Sequence, residues 1–240
     1  MRLDRFLSNR PDLNRQDARL HLAHGHVRVN GVPTMDGRYE IREFDRVELH
    51  ETLLQAGKPA RYFMLHKPPG YVSATQHPEH PTVLDLLNEP DKGDLHLSGR
   101  LDLTTSGLML ITNDGHWSRR LTLPKTKLPK VYYVETADPI QPEYVQAFAD
   151  GLYFKFENLT TLPARLDILD ERCARLTLIE GRYHQVKRMF GHFRNQVMRL
   201  HRESIGPIRL DSALTPGDYR QLTADEIACG LSTQTINAVP

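Results

Sequence analysis

The chain has 240 residues, of which 39% are hydrophobic and 25% are charged, with a formal net charge of +1. These values are ordinary for a globular protein of one or two domains, and no apolar run reaches the roughly 20 residues of a membrane-spanning helix. Cys173 and Cys229 are too few for a disulfide framework and fit no zinc motif. We therefore expect a cytoplasmic protein without a membrane anchor.

Basic residues are concentrated in two segments. Residues 119–130 contain five basic and no acidic side chains, and residues 181–202 contain six basic side chains, three histidines and no acidic ones. Such segments in a nearly neutral chain favour a surface that binds a polyanion, and nucleic acid in particular. A solvated basic helix face gives the same pattern when either segment is taken alone.

The first 50 residues are predicted to form a small separate domain. The apolar residues in segment 3–7 have helical spacing, and Asn14 can cap a second helix over 15–24, with glycine directly after its end. The sequence VRVNGVPT, residues 27–34, predicts a hairpin with an Asn-Gly turn.

A closing strand is predicted over 44–49, and residues 51–60, which have no clear period, are predicted to be a linker. Residues 61–231 form the second domain and 232–240 a C-terminal tail. Strands are predicted in chain order over RYFMLHK, LHLSGRLD, LMLITND, KVYYVET, ARLDILD and ARLTLIE, and helices over TVLDLLN, HWSRRLT, PEYVQAFADG and YHQVKRMFGHF. The segment after the last helix is predicted as strand and loop. Many strands follow one another without a crossover helix, which indicates an α+β fold with a mostly antiparallel mixed sheet and flanking helices.

Asp102 lies in the stretch GRLDLTTSGLMLITNDG, residues 99–115, between two leucines and between two predicted strands. A carboxylate that leaves water needs a compensating partner. Asp102 is therefore either a satisfied turn residue or a group held for chemistry. The helix YHQVKRMF offers Lys187 and Arg188 as partners, with Arg182 just before it.

The strand KVYY holds the second candidate pair. Lys130 and Tyr132 are two residues apart, so they lie on one face of the strand. Tyrosine can stack on a nucleobase and donate a hydrogen bond. An ordinary alternating strand with a core tyrosine explains the same pattern.

Other chemistries lack their motifs. The chain has no Gly-rich phosphate loop, no GxSxG and no credible Cys–His pair, and Asp114, the nearest second acid for a glycosidase, is predicted to cap a helix. His21, His24 and His26 lack a nearby set of Cys or carboxylate side chains with ligand spacing, so we expect no metal site.

Taken together, these motifs resemble the pseudouridine synthases of the RsuA type, which carry an N-terminal S4-like RNA-binding domain. The resemblance covers residues 1 to about 231. Its signature is GRLD, then TTSGL, then TNDG, supported by RYFMLHKPPGYVSAT, KVYY and EGRYHQVKRMF. The N-terminal NRQDARLHLAHGHVRVNG is similar to the S4 domain, with Arg15 in place and Asn14 where serine often precedes it.

The resemblance implies that the protein converts uridine to pseudouridine within RNA, without cofactor or metal. Asp102 would be the catalytic carboxylate, either attacking C1′ or removing the 2′ proton. Lys187 would be a cation that holds its pKa down, and Tyr132 would stack on the uracil after it leaves the RNA stack. The residues implied to contact RNA are Arg15, Arg100, Lys130, Arg182 and Arg188.

The late motif YHQVKRMF favours a synthase that acts on small-subunit ribosomal RNA, naked or in a partly assembled subunit, and we expect it to be a monomer. One alternative is a large-subunit synthase of the same family, where RQVRR-like sequences are more common. Another is a non-catalytic S4-type assembly factor, which would have no need for the GRLD loop. An N-glycosidase would need an activated water, and no second acid is evident to supply one.

Overall fold

A computed structural model describes residues 1–231. These residues belong to two compact units, Met1–Ala60 and a second unit that begins at Arg61. The predicted tail, 232–240, lies outside the described residues. Within residues 1–231, no helix combines the length and the apolar character needed to cross a membrane.

The first unit combines two helices with a four-stranded antiparallel sheet of order β2-β1-β3-β4. Asn14 caps the second helix as predicted, because its side chain accepts hydrogen bonds from the backbone N–H groups of Gln16 and Asp17. The elements are α1 (Leu3–Ser8), α2 (Arg15–Ala23), β1 (Val27–Val29), β2 (Val32–Pro33), β3 (Val47–Leu49) and β4 (Thr52–Gln55).

The prediction of a linker over 51–60 was wrong. The segment contains β4, which pairs antiparallel with β3, and the compact unit ends only at Ala60. Its four residues are exposed or half-buried, because β4 is an edge strand. An edge strand that buries neither face fully lacks the apolar alternation by which strands are recognised in a sequence.

The second unit is built on a nine-stranded sheet with helices on both faces. The described part of this unit contains eleven strands: β5 (Tyr62–Lys67), β6 (His96–Leu97), β7 (Ser106–Thr112), β8 (Lys130–Thr136), β9 (Tyr153–Phe154), β10 (Leu159–Thr160), β11 (Arg165–Asp170), β12 (Cys173–Leu178), β13 (Val197–Ile205), β14 (Ile208–Arg209) and β15 (Tyr219–Gln221). Nine of them belong to the large sheet, whereas β9 and β10 pair with each other in a separate two-stranded sheet. Its α-helices are α3 (Gly115–Thr122), α4 (Glu143–Asp150), α5 (Gln185–Gly191) and α6 (Ala224–Leu231). Short 3-10 helices cover Val83–Leu86, Lys92–Asp94 and Pro124–Thr126.

The strand order is β11-β12-β8-β13-β7-β5-β15, with β14 beside β13 and β6 beside β7. Among the described strands only β13 and β7 pair in parallel, with Arg202 opposite Gly107. Gly107 has φ +110°, and a Cβ there would collide with the Arg202 backbone, so this close approach requires glycine. The sheet confirms the predicted α+β fold with a mostly antiparallel mixed sheet.

Apolar layers cover both faces of the central strands. Side chains of β5 and β7 alternate between a large core, which includes Phe148 of α4 and Phe190 of α5, and a smaller core around Trp117 of α3. Burial on both faces explains the nearly continuous apolar run of β7.

Helix α6 was not predicted. Gly230 is a poor helix former, and the segment follows a stretch read as strand and loop. The helix packs against α3, where the Trp117 indole N–H donates to the Ile227 carbonyl at 3.0 Å and leaves no space for a side chain at position 230. Tertiary packing, which the local sequence does not encode, therefore stabilises this helix.

Candidate active site

The loop 99–105 joins β6 to β7 and carries Asp102. Gly99 begins it with φ +93°, a conformation that favours glycine. Ser73 fixes the loop at Leu101, because its hydroxyl donates to the Leu101 carbonyl at 2.6 Å and accepts from the Leu101 N–H at 3.0 Å. Leu101 is buried in the large core. The residue directly before Asp102 is therefore fixed by both backbone and side chain.

A buried lysine forms hydrogen bonds to the backbone of this loop. Lys67, at the end of β5, has no exposed surface, and the three N–H groups of its ammonium are shared among four backbone carbonyls within hydrogen-bond distance. The acceptors are the carbonyls of Pro68 at 3.0 Å, Asp102 at 3.2 Å, Leu103 at 3.4 Å and Thr105 at 2.8 Å. Burial lowers the pKa of Lys67 to about 8; the Asp102 carboxylate opposes this shift and Arg202 adds to it.

Arg202 of β13 is the second buried cation under the loop. Its guanidinium donates twice to the Leu108 carbonyl, at 2.9 and 2.7 Å, and once to the Arg100 carbonyl at 3.3 Å. These bonds tie the loop to the parallel strand pair. Lys67 and Arg202 thus place two positive charges behind the segment that presents Asp102.

The Asp102 side chain faces two side chains from the start of α5. Its carboxylate oxygens lie 3.4 Å from the Lys187 ammonium and 3.5 Å from His184 Nε2. Lys187 also donates to the Thr104 hydroxyl at 2.9 Å. The carboxylate is 27% exposed, so it is not sealed in the core; it stands in the wall of an open cavity. The expected partner from the YHQVKRMF helix is therefore present.

The cavity beside Asp102 has a volume of about 590 Å³, within the range of small-molecule sites. The predicted residues that line it together with Asp102 are Arg100, Lys130, Tyr132, Arg182 and Lys187. Tyr132 is 8% exposed, and its ring is part of the large core. One wall is thus aromatic and several others carry cations, which suits a ligand with a planar ring and negative charge.

Two of these cations, Arg182 and Lys130, form hydrogen bonds within the protein. The Arg182 guanidinium donates to Glu180 at 2.9 Å, and Glu180 also accepts from the Gln185 amide. The Lys130 ammonium donates to the Leu128 carbonyl at 3.1 Å, and burial, with a smaller effect of Arg202, lowers the pKa of Lys130. Both groups are therefore held at the cavity wall by neighbours in the chain.

Arg188, a predicted RNA contact, forms an ion pair outside the cavity. Its guanidinium binds the Glu157 carboxylate, with one bond at 2.6 Å, and lies 3.8 Å from the centre of the Phe154 ring. This ion pair lowers the pKa of Glu157. Glu157 lies 31 residues earlier, so the sequence could not reveal the pairing. Arg188 thus supports the fold and is absent from the cavity lining, whereas Arg15 is an exposed residue of the first unit.

Sequence reasoning missed three residues of the site: Lys67, Arg202 and His184. A lysine that ends an apolar strand before Pro-Pro-Gly was a visible signal for Lys67, since a buried charge at a strand end needs a purpose. Arg202 and His184 had no comparable signal, because each was one of many basic residues in segment 181–202.

A mixed sheet thus presents one ion-paired aspartate in a basic, aromatic-walled cavity, as expected from the motifs that resemble an RNA-modifying isomerase. The family model described as RNA pseudouridylate synthase matches residues 61–192. The chain belongs to this family, and it is an enzyme of the isomerase class.

Relatives match along almost the whole chain. The ribosomal small subunit pseudouridine synthase A of Pseudomonas aeruginosa is 65% identical over 227 residues, which is 95% of this chain and 99% of that protein. The protein of the same name from Escherichia coli is 42% identical over 228 residues, with the same coverage. A crystal structure of a pseudouridylate synthase is 41% identical, with a TM-score of 0.70, and covers 96% of this chain and 99% of that one.

Proposed function

We propose that this protein converts a uridine of small-subunit ribosomal RNA to pseudouridine, with Asp102 as the catalytic carboxylate. The observation that carries the proposal is the Asp102 carboxylate held at 3.4 Å from Lys187 in the wall of a cavity of about 590 Å³. Relatives named for the small subunit, 65% and 42% identical, support this substrate over large-subunit RNA.

The proposed reaction is an internal rearrangement. The C1′–N1 bond of uridine breaks, the uracil turns within the cavity, a C1′–C5 bond forms, the C5 proton is lost and N1 gains a proton. Asp102 acts in its ionised form, whether it attacks C1′ or removes the 2′ proton. The balance needs no cofactor, metal or hydrolytic water.

Tyr132 is the proposed stacking partner of the uracil. Uridine must leave its neighbours in the RNA to reach Asp102, which costs a few kcal/mol. An aromatic ring in the cavity wall recovers about 1–3 kcal/mol of stacking per base. The burial of Tyr132 among core side chains keeps this ring in a fixed position.

The remaining cavity cations are proposed to hold the RNA backbone. Arg100 is exposed at the loop, and Arg182 and Lys130 stand at the cavity wall. The first unit, with Arg15 exposed at the start of α2, is proposed to be an S4-like domain that adds affinity for a structured region of the RNA. Binding through such contacts weakens steeply with salt.

The proposed working form is a cytoplasmic monomer that meets its RNA naked or in a partly assembled ribosomal subunit. The alternatives are a large-subunit synthase and a non-catalytic assembly factor. Chemical labelling of pseudouridine, read by primer extension after incubation with both ribosomal RNAs, tests them together. We expect one new stop, confined to small-subunit RNA; a stop in large-subunit RNA alone, or none, would contradict the proposal.

Replacing Lys187 by Met is expected to lower kcat about 10- to 100-fold, because the ammonium that fixes the carboxylate is lost and small misplacements are costly in catalysis. Lys187→Arg is expected to recover part of the rate. Lys155→Met, at an exposed lysine outside the cavity lining, is the matched control and should leave kcat unchanged. Full activity of Lys187→Met would remove this residue from the mechanism.

Replacing Tyr132 tests stacking separately from the hydroxyl. Tyr132→Phe keeps the ring, so RNA affinity is expected to stay within about twofold, whereas Tyr132→Leu is expected to lower kcat/KM about 10- to 100-fold. Filter binding and single-turnover rates measure both. A Phe variant as impaired in binding as the Leu variant would contradict a stacking role.

A further inference from the structure

Three histidines of the first unit converge although they are distant in the sequence. His21 lies in α2, His26 directly precedes β1, and His50 forms the turn between β3 and β4. One ring nitrogen from each lies within 4.8 Å of the other two. Within residues 1–231 no other trio of potential metal ligands meets this condition. We call these three residues the histidine cluster.

The backbone holds the cluster in place. The His26 N–H donates to the His21 carbonyl at 3.0 Å, and the His50 N–H donates to the His26 carbonyl at 2.8 Å. His50 has φ +53°, a left-handed conformation that few residues other than glycine adopt. The three side chains are therefore brought together by a chain of main-chain hydrogen bonds and a fixed turn.

The spacing of the ring nitrogens suits a tetrahedral ion. His21 Nδ1 and His26 Nδ1 are 3.3 Å apart. Two nitrogens bound to tetrahedral Zn²⁺ at 2.0–2.1 Å lie about 3.3–3.4 Å from each other. A hydrogen bond between two neutral rings gives a similar separation. Such a bond does not explain why the His50 ring also lies close, with its centre 4.2 Å from that of His26.

His24 lies beside the histidine cluster but does not belong to it. The His24 ring stacks on His26, but its Nδ1 lies 2.8 Å from the Leu20 carbonyl, which turns that nitrogen away from the cluster.

We propose that His21, His26 and His50 bind one divalent transition-metal ion of the zinc class, with the fourth position open to water. Three imidazoles without a carboxylate or carbonyl partner favour Zn²⁺, Co²⁺, Ni²⁺ or Cu²⁺ over Mg²⁺ or Ca²⁺. The ion would join α2, β1 and the β3–β4 turn. The sequence led us to expect no metal, because His21, His24 and His26 have no Cys or carboxylate ligands with suitable spacing nearby. The third ligand proposed here, His50, lies 24 residues beyond His26.

Zinc titration of the full-length chain tests the site. The protein, produced without a polyhistidine tag and freed of metal with a chelator, is titrated with Zn²⁺ against a chromophoric chelator. We expect one equivalent to bind and to raise Tm. Loss of even an outer partner of a metal ligand costs about 10- to 100-fold in affinity, so His50→Gln and His21→Gln are each expected to lose at least about tenfold.

The matched control is the double variant His77→Gln/His80→Gln. These two exposed histidines also stack, with ring centres 5.1 Å apart, but they belong to the second unit. The control is expected to bind Zn²⁺ as the wild type does. With Co²⁺, the wild type is expected to show the visible absorption of a tetrahedral site, and His50→Gln to lose it. No binding at micromolar Zn²⁺, or equal affinity in His50→Gln and wild type, would overturn the proposal.

Discussion

Asp102→Asn is expected to lower the rate of pseudouridine formation at least about a thousandfold, because the amide can neither attack C1′ nor accept the 2′ proton. The substitution conserves size. The side chain is partly exposed and contributes no buried contact, so the fold and the affinity for RNA are expected to stay close to those of the wild type. The measurement is the single-turnover rate, with Kd and Tm determined on the same preparations.

Asp167→Asn is the matched control for this change. Asp167 is a partly exposed carboxylate on β11 that pairs with Arg165 and does not line the cavity. It is expected to retain the wild-type rate. An Asp102→Asn variant that kept a tenth or more of the wild-type rate would exclude Asp102 as the reacting group.

Lys67→Met is expected to lower the free energy of unfolding by about 2–4 kcal/mol, since carbonyls that shared one buried ammonium lose a charged donor. The carbonyls of Asp102 and Leu103 each keep a backbone donor, from Thr105 and Gly70, so we expect the loop to form but to be held less rigidly. We therefore also expect a lower kcat in the folded variant. Denaturant unfolding and single-turnover rates measure the two effects.

The difference in free energy of unfolding between the wild type and Lys67→Met should depend on pH, which provides a second test. The pKa of Lys67 is lowered to about 8 in the folded protein and returns to about 10.5 on unfolding. Between these values the unfolded chain binds more protons than the folded chain, so the free energy of unfolding rises with pH. The stability of the wild type relative to Lys67→Met is expected to increase from pH 8 to 10.5. If this stability difference stayed constant or fell over that pH range, the folded protein would not lower the pKa of Lys67.

Local signals predicted much of the fold. The Asn14 cap, the Asn-Gly turn of the β1–β2 hairpin and the apolar run of β7 each specify an element within a few residues, and each element is present. The failures are elements whose stability comes from distant partners. Strand β4 depends on pairing with β3, and α6 depends on the Trp117 ring.

For the candidate site too, features with a local sequence signal could be predicted, and features that depend on distant partners could not. The motif around Asp102 and the helix carrying Lys187 could be recognised separately, and the structure brings them to 3.4 Å. The position of Lys67 at the end of an apolar strand was a signal that we missed, but its main partners, like those of Arg202, are backbone carbonyls 35 or more residues away, which the sequence does not reveal. The ion pair of Arg188, a predicted RNA contact, with Glu157 could not be predicted, because the two residues are remote in the sequence.

The most direct test of the central claim is tritium release from C5-labelled uridine. Small-subunit ribosomal RNA, naked and protein-bound, is incubated with wild type and with Asp102→Asn, and large-subunit RNA serves as the specificity control. We expect release by the wild type alone, from at least one small-subunit substrate and not from the large-subunit RNA. Release by Asp102→Asn at the wild-type rate, or none from any small-subunit substrate, would contradict this account of the protein.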